Sequence, residues 1–335
     1  MLKAHLRPPR VLSFAAAALA IVALAGCGSS KSSGGASAGS GGEETLVVGV
    51  PRSFGYLSTM WARNIQPAGV KVEYKYFPEF ASMLTAFNAG RVDLTEVGDV
   101  GAMQSYENGG QIGVIAVSAS NAKDCGLIVP KKSTAKTFAE LKGGKIAFLK
   151  STNSYIAFLH QLKAAGLNEG DFSIVEITGP PGNKAFQTEQ VAAYYSINPN
   201  MASLLEETGG REIATCEEAG VQNLYPYMAT ENALKTKSPA LKKFVQALAN
   251  TYQWIQQHPA EQAKLLAKKL DYSEASIKTT YQQGAKALQT IGPSFYTSEQ
   301  KLANELTAAK VLKKPLNVEK VFLPTYNAEI TANGE

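Results

Sequence analysis

Histidine and cysteine are scarce in this chain, at three of each among 335 residues. His5, His160 and His258 stand far apart, so no zinc-ligand spacing exists and a Ser-His-Asp triad is hard to assemble. The segment "GNKAFQTEQ" (182–190) lacks the Gly-Lys-Ser/Thr ending of a phosphate loop. No Lys/Arg stripe carries interleaved aromatics, which removes the usual footprint of a nucleic-acid binder. Beyond residue 44 no run is apolar enough for a membrane span. These gaps argue against an enzyme, a metal site, a bound cofactor and a nucleic-acid partner. The formal charge of +5 includes Lys3, Arg7 and Arg10, and without those three it falls to about +2.

What is present starts with a basic head and a short apolar run, the layout of a secretory signal. From Val11 to Gly26 there are 16 apolar or small residues, fewer than a spanning helix needs. Leu24-Ala25-Gly26-Cys27 follows and resembles the lipobox of bacterial lipoproteins. That likeness implies removal of 1–26 and a lipid, diacylglycerol and palmitate, on Cys27. Residues 27–44 are nearly all Gly, Ser and Ala, a composition that cannot bury enough apolar surface to fold. The expectation is a flexible tether about 20–25 Å in span. It would hold the remaining chain at the outer face of the cell membrane. Cys125 and Cys216 are then the two cysteines left, either a disulfide pair or two buried thiols.

About 290 residues follow the tether, enough for two lobes. "TLVVGV" (45–50), "VKVEYKYF" (70–77), "RVDLTEVG" (91–98) and "IGVIAVSAS" (112–120) read as strands. Helical spacing falls between them at 56–64, 78–90 and 100–110. A second block repeats the alternation, with strands at 125–130, 145–149, 172–178, 191–197 and 211–216 and helices at 154–166 and 201–210. Helices then dominate at 238–258, 259–270, 273–289 and 297–312. This alternation predicts an α/β protein of two lobes, each a mixed, mostly parallel sheet flanked by helices. Residues 45–120 and 224–335 form lobe 1, and 121–223 form lobe 2. The chain crosses twice, near 118–126 and 215–228, which makes a two-segment hinge.

Ligands of open α/β sheets bind beyond the C-terminal strand ends. The junctions there are "PRSFGYLS" (51–58), "GDVGAM" (98–103), "SASN" (118–121), "KSTNSY" (150–155), "TGPPGN" (178–183) and "INPN" (197–200). Helix N-termini after Arg52-Ser53-Phe54, Gly98-Asp99 and Ser151-Thr152-Asn153 would offer N–H groups to an anion. Arg52 could add a salt bridge. Asp99 would repel an anion but attract an ammonium, so a zwitterion satisfies both. Tyr194 is a candidate wall residue, while His160 reads as an ordinary helix-face residue.

At these residues the sequence resembles a family. "FPEFASMLTAFNAGRVDLTEVGDVGAM" (77–103), "LIVPKKSTAKTFAELKGGKIAFLKSTNSYIAFLHQLKAAGL" (127–167) and "VAAYYSINP" (191–199) are similar to segments of nitrate, aliphatic sulfonate and taurine-type substrate-binding proteins. The resemblance covers most of 45–310. It implies the two-lobe type II periplasmic-binding fold, capture of a small ligand without chemistry, and delivery to an ABC transporter permease by a monomer. It also implies that Ser53, Gly98, Asp99, Ser118, Ser151, Thr152 and Asn153 face the ligand. The family's acids are replaced by Ala192 and Asn198, and its aromatic by Ser196 or Ile197. Those changes lie on the wall that distinguishes ligands, so a neutral or heterocyclic ligand, such as a thiamine precursor, is the alternative. Pyrimidine synthases on this fold need a cysteine-rich iron site, which Cys125 and Cys216 alone do not make. A surface scaffold protein is the remaining rival.

Overall fold

The computed structural model describes residues 43–331, apart from 53, 54 and 79. The signal, Cys27 and nearly all of the tether lie outside the described residues, as do Ser53 and Phe54. In the first segment β1 (Glu44–Pro51), α1 (Leu57–Ala62), β2 (Val70–Phe77), α2 (Phe80–Asn88), β3 (Leu94–Glu96), α3 (Asp99–Glu107) and β4 (Ile112–Ser118) alternate. The middle segment holds β5 (Cys125–Val129), β6 (Lys145–Ala147), α4 (Asn153–Ala165), β7 (Ser173–Val175), α5 (Gly179–Gln187), β8 (Ala193–Ile197), α6 (Asn200–Thr208) and β9 (Arg211–Thr215). The last contains β10 (Pro226–Thr230), α7 (Glu231–Thr236), α8 (Ser238–Gln257), α9 (Pro259–Leu270), α10 (Glu274–Gln283), β11 (Leu288–Gln289), α11 (Pro293–Ala308) and α12 (Asn327–Thr331).

Among the described residues the strands form two open sheets. The first has the order β11-β4-β10-β3-β1-β2 and the second β7-β6-β8-β5-β9. In the first, β1 pairs in parallel with both β2 and β3. β10 enters between β3 and β4 and runs against both. In the second sheet β5 enters between β8 and β9 and is antiparallel to each. β5 and β10 are each the first strand the chain forms after crossing between sheets, and the short β11 also runs against β4. Strands with neighbours on both sides and covered faces are buried throughout, so β5 (CGLIV) and β4 (IGVIAVS) are continuous buried runs. β2 lies at an edge and alternates instead: Val70 and Val72 are buried, Lys71 and Glu73 exposed.

Helix α8 turns Ala240, Leu241, Phe244, Val245, Leu248, Tyr252 and Ile255 inward, the spacing of one helical face. They pack with Leu46, Val48 and Tyr227 of the first sheet. A second apolar cluster runs from Met83 and Phe87 through the crossings at Cys125, Cys216, Val221 and Leu224 to Leu127 and Tyr195. The crossing segments are therefore apolar on one side, and Cys125 and Cys216 are joined by a disulfide there, with Cα atoms 5.3 Å apart.

Several elements differ from the sequence reading, among them β10, α7 and α12, which it did not include. Residues 179–187 form a helix, because Pro180 and Pro181 sit in its first turn where no N–H is needed. The helix expected over 273–289 stops at Gln283. A side chain at Gly284 would meet the Thr280 carbonyl oxygen at 2.9 Å. Leu288 and Gln289 then pair with the edge strand β4. The last long helix begins at Pro293 rather than Thr297, again with proline in the first turn.

Candidate functional site

Between the C-terminal strand ends of the two sheets lies a buried polar network. Ser118 closes β4, and its hydroxyl accepts from Asn121 Nδ2 at 2.7 Å and from the Tyr225 N–H at 2.9 Å. On the first crossing, Asp124 accepts from Asn223 Nδ2 and from the Tyr225 hydroxyl, both at 2.8 Å. Asn223, on the second crossing, also accepts from Asn153 Nδ2 at 3.3 Å. Asn153 opens α4 and donates to Asp99, which opens α3. Asp99 further accepts from the Leu224 N–H at 3.4 Å. One chain of bonds thus joins the first sheet, both crossings and the second sheet.

The predicted residues fall into three groups. Asp99, Ser118 and Asn153 belong to this network. Gly98 is the residue before α3, with its carbonyl accepting from the Ala102 N–H at 3.0 Å. Asn198 reaches across as well: its Nδ2 donates to Gln283 Oε1 of α10 at 2.6 Å, and its Oδ1 accepts from the Ala202 N–H. Ser151 is exposed, and the Thr152 hydroxyl turns back to the Leu149 carbonyl at 2.7 Å. Arg52 is half-buried with its guanidinium carbon 5.4 Å from the Tyr272 ring centre. Tyr194 is almost fully buried with Phe186 and Leu204, and its hydroxyl meets Thr178 Oγ1 at 3.2 Å. His160 lies on a packed face of α4, with Nε2 3.1 Å from Glu305 of α11 and Nδ1 2.7 Å from the Ala219 carbonyl.

Two of the three expected donor ends are already occupied. The N–H groups of Tyr56 and Leu57, at the start of α1, point to the Glu96 carboxyl at 3.1 and 3.3 Å. A side chain at Gly55 would meet Glu96 Oε2 at 1.9 Å, so the backbone lies flush against that carboxyl. At α3, the Asp99 side chain takes the Val100 N–H at 2.8 Å. An outside anion finds those donors spent.

Sequence reasoning missed Glu96, Asn121, Asp124, Asn223 and Glu299. Among the described residues the buried charged ones, Asp93, Glu96, Asp99, Asp124 and Glu299, are all acids. Asp93 has a cation, Lys237, at 2.8 Å. Burial pushes the Glu96 and Asp124 carboxyls up to about 8 and Asp99 up to about 6. Burial, reinforced by the Asp99 charge, raises Glu299 well above the usual carboxylate range. Polar residues placed on the crossings, "NAKD" (121–124) and "VQN" (221–223), were the available signal.

A family model described as NMT1/THI5 like matches residues 66–262, more than half of the chain. The chain belongs to the NMT1/THI5-like family. As a member of that family it is 31% identical over 141 residues to a candidate aliphatic sulfonates-binding protein of Escherichia coli (strain K12). That alignment covers 42% of this chain and 44% of the relative, so the chain matches under half of that protein's length. Among solved structures, the alkanesulfonate-binding protein SsuA of Xanthomonas axonopodis pv. citri, bound to MOPS, superposes with a TM-score of 0.77. Identity there is 21%, over 83% of this chain and 98% of that one. The desulfurization enzyme DszB superposes with a TM-score of 0.67 at 14% identity, covering 86% and 99%. These likenesses show the fold, the two-lobe type II periplasmic-binding fold, with each lobe a mixed sheet flanked by helices. That one fold serves both a binding protein and an enzyme.

Proposed function

We propose that this family member is a solute receptor. In this reading it captures a small anionic or zwitterionic molecule, of the sulfonate, taurine or nitrate class, and hands it to an ABC importer. A lipid on Cys27 and the Gly/Ser tether hold it at the outer membrane face as a monomer. The lobes are 45–120 with 224–335, and 121–223. The observation that carries the reading is the network running from Asp99 through both crossings to Asn153. A solute seated there touches two sheets and the hinge at once, so it favours the closed arrangement through contacts absent when open. Arg52, half-buried before α1, and Asp99, at the start of α3, would together suit a molecule bearing both charges. Conversion of the solute has no support from a nucleophile-base pair among the residues named above.

Calorimetry with taurine, ethanesulfonate, nitrate and an aminopyrimidine tests the reading, paired with X-ray scattering of the same samples. The expected result is micromolar binding of one member with a smaller radius of gyration. Binding without compaction, or turnover of the added compound, sinks it. For the anchor, Cys27→Ser expressed in a bacterial host should move the protein from the membrane fraction to the soluble one.

A further inference from the structure

We infer that α6 and α10 form a polar clasp that shuts the two lobes on each other, and that parting this clasp is the step that admits and releases solute. The release half of the inference rests on the receptor reading above; the clasp itself does not.

The two helices belong to different lobes. Met201 and Leu204 of α6 pack with Ile128 of β5 and Tyr194 of β8, in the second sheet. Ile277 of α10 packs with Leu266 and Leu270 of α9 and with Trp61 of α1. The Tyr281 hydroxyl of α10 donates to the Gly55 carbonyl at 3.0 Å, beside the first sheet. Across the lobes the contacts are hydrogen bonds. At the start of α10 the Ser273 and Ser276 hydroxyls both donate to Glu206 Oε2 of α6, at 2.6 and 3.1 Å. At its end Gln283 Oε1 takes the Asn198 amide at 2.6 Å. The early residue of one segment meets the late residue of the other, so the two run antiparallel.

Ser273, Ser276, Thr280 and Gln283 recur at helical spacing and share one face of α10. That face is polar throughout, yet Ser276 is 2% exposed and its partner segment's Asn198 is fully buried. An apolar seam would resist parting. Hydrogen bonds are exchanged for bonds to water when the helices separate, at a small net cost. Polar seams are the kind that let domains move apart. Every partner in the clasp belongs to the protein, so its contribution is the same whichever solute is carried.

The geometry also sets the order of opening. Just past α10 the Ala285 N–H donates to Asn121 on the first crossing, which ties that end to the hinge. The 10 residues of α10 then carry Ser273 about 15 Å away from it. A turn of about 10° at the hinge end moves Ser273 by about 3 Å, and a hydrogen bond of 2.6 Å stretched that far is lost. The Ser273–Glu206 end therefore parts first, and the Asn198–Gln283 end follows.

The experiment compares the wild type with Glu206→Ala, Gln283→Ala and the two together. X-ray scattering of protein freed of small molecules reads the clasp. The double variant should gain about 1 Å in radius of gyration over the roughly 19 Å of a compact body of about 290 residues. Stopped-flow release of a bound probe, with taurine, ethanesulfonate, nitrate and an aminopyrimidine each tried, reads the gate. Glu206→Ala should speed release about fivefold, a modest effect because the carboxylate is exposed, and the double variant about 30-fold. Ser276→Ala should add nothing once Glu206 is gone, which a general loosening would not reproduce. Glu207→Ala is the control, since that acid is held by Ser203 and Gln187 of its own lobe, and it should match the wild type. An unchanged radius together with unchanged release in the double variant overturns the inference and leaves the receptor reading standing. So does Glu207→Ala acting as strongly as Glu206→Ala. Should no probe bind, the receptor reading falls, and the radius alone decides the clasp.

Discussion

Glu96→Gln changes one buried proton-binding group and little else. Glu96 is fully buried at the end of β3, receiving the N–H groups of Tyr56 and Leu57 and the Tyr227 hydroxyl. Burial raises its carboxyl from 4.5 to about 8. Below pH 4.5 the folded and unfolded chains both hold this proton. Between pH 4.5 and about 8 the unfolded chain has lost it and the folded chain keeps it, so stability falls as pH rises. Above about 8 the contribution is gone. Each tenfold difference in proton affinity is worth about 1.4 kcal/mol, so the whole window is on the order of 5 kcal/mol. Asp124 at about 8, Glu212 at about 7 and Asp99 at about 6 push the same way. The informative quantity is therefore the difference between the wild type and the variant, measured by thermal unfolding from pH 5 to pH 9. The glutamine keeps an acceptor for the two N–H groups but does not titrate. The wild type should lose about 5–10 °C of Tm relative to the variant across that range. Parallel Tm curves would refute the reasoning, since they would mean that Glu96 is charged at neutral pH or already open to water.

Three further outcomes follow from the geometry. Gly55→Ala drives a methyl into Glu96 Oε2, at a backbone φ of +104°, and should lower stability by about 1–3 kcal/mol in urea unfolding. The disulfide closes a loop of 91 residues, so Cys125→Ser with Cys216→Ser should cost about 4 kcal/mol in the same assay, with the effect absent when the wild type is compared under reducing conditions. His160 and Glu305 join α4 to α11 while both are about one-third exposed, so a double-mutant cycle with His160→Ala and Glu305→Ala should show a coupling below about 1 kcal/mol that shrinks in high salt.

Much of the fold was legible where period and burial coincide. The alternation in "VKVEYKYF" matches β2 residue for residue, and the apolar stripe of 238–257 matches α8. What failed was local chemistry overruled by position. "TGPPGN" carries loop residues, yet its prolines occupy helix positions that need no N–H donor. "KALQ" continues a helical pattern, yet a partner strand claims it. In the site, Asp99 could be found because it stands at a strand-helix junction. Asp124 was marked only by its place on a crossing, in "NAKD" (121–124), and Glu96 and Glu299 could not be found, because nothing local marks their carboxyls for burial. Glu96 looks like a strand-end acid until α1 is seen to point two N–H groups at it. Glu299 looks like a helix-face acid until α11 is laid beside α3. The helix ends read from the sequence as seats for an anion were real ends, and the protein's own acids took two of them.

The most direct check of the account is native mass spectrometry of the full chain taken from its own cell envelope, followed by denaturation. The account predicts one small molecule bound per chain, released intact and rebound unchanged after long incubation. A protein that carries and rebinds nothing, or that returns the molecule altered, would contradict it.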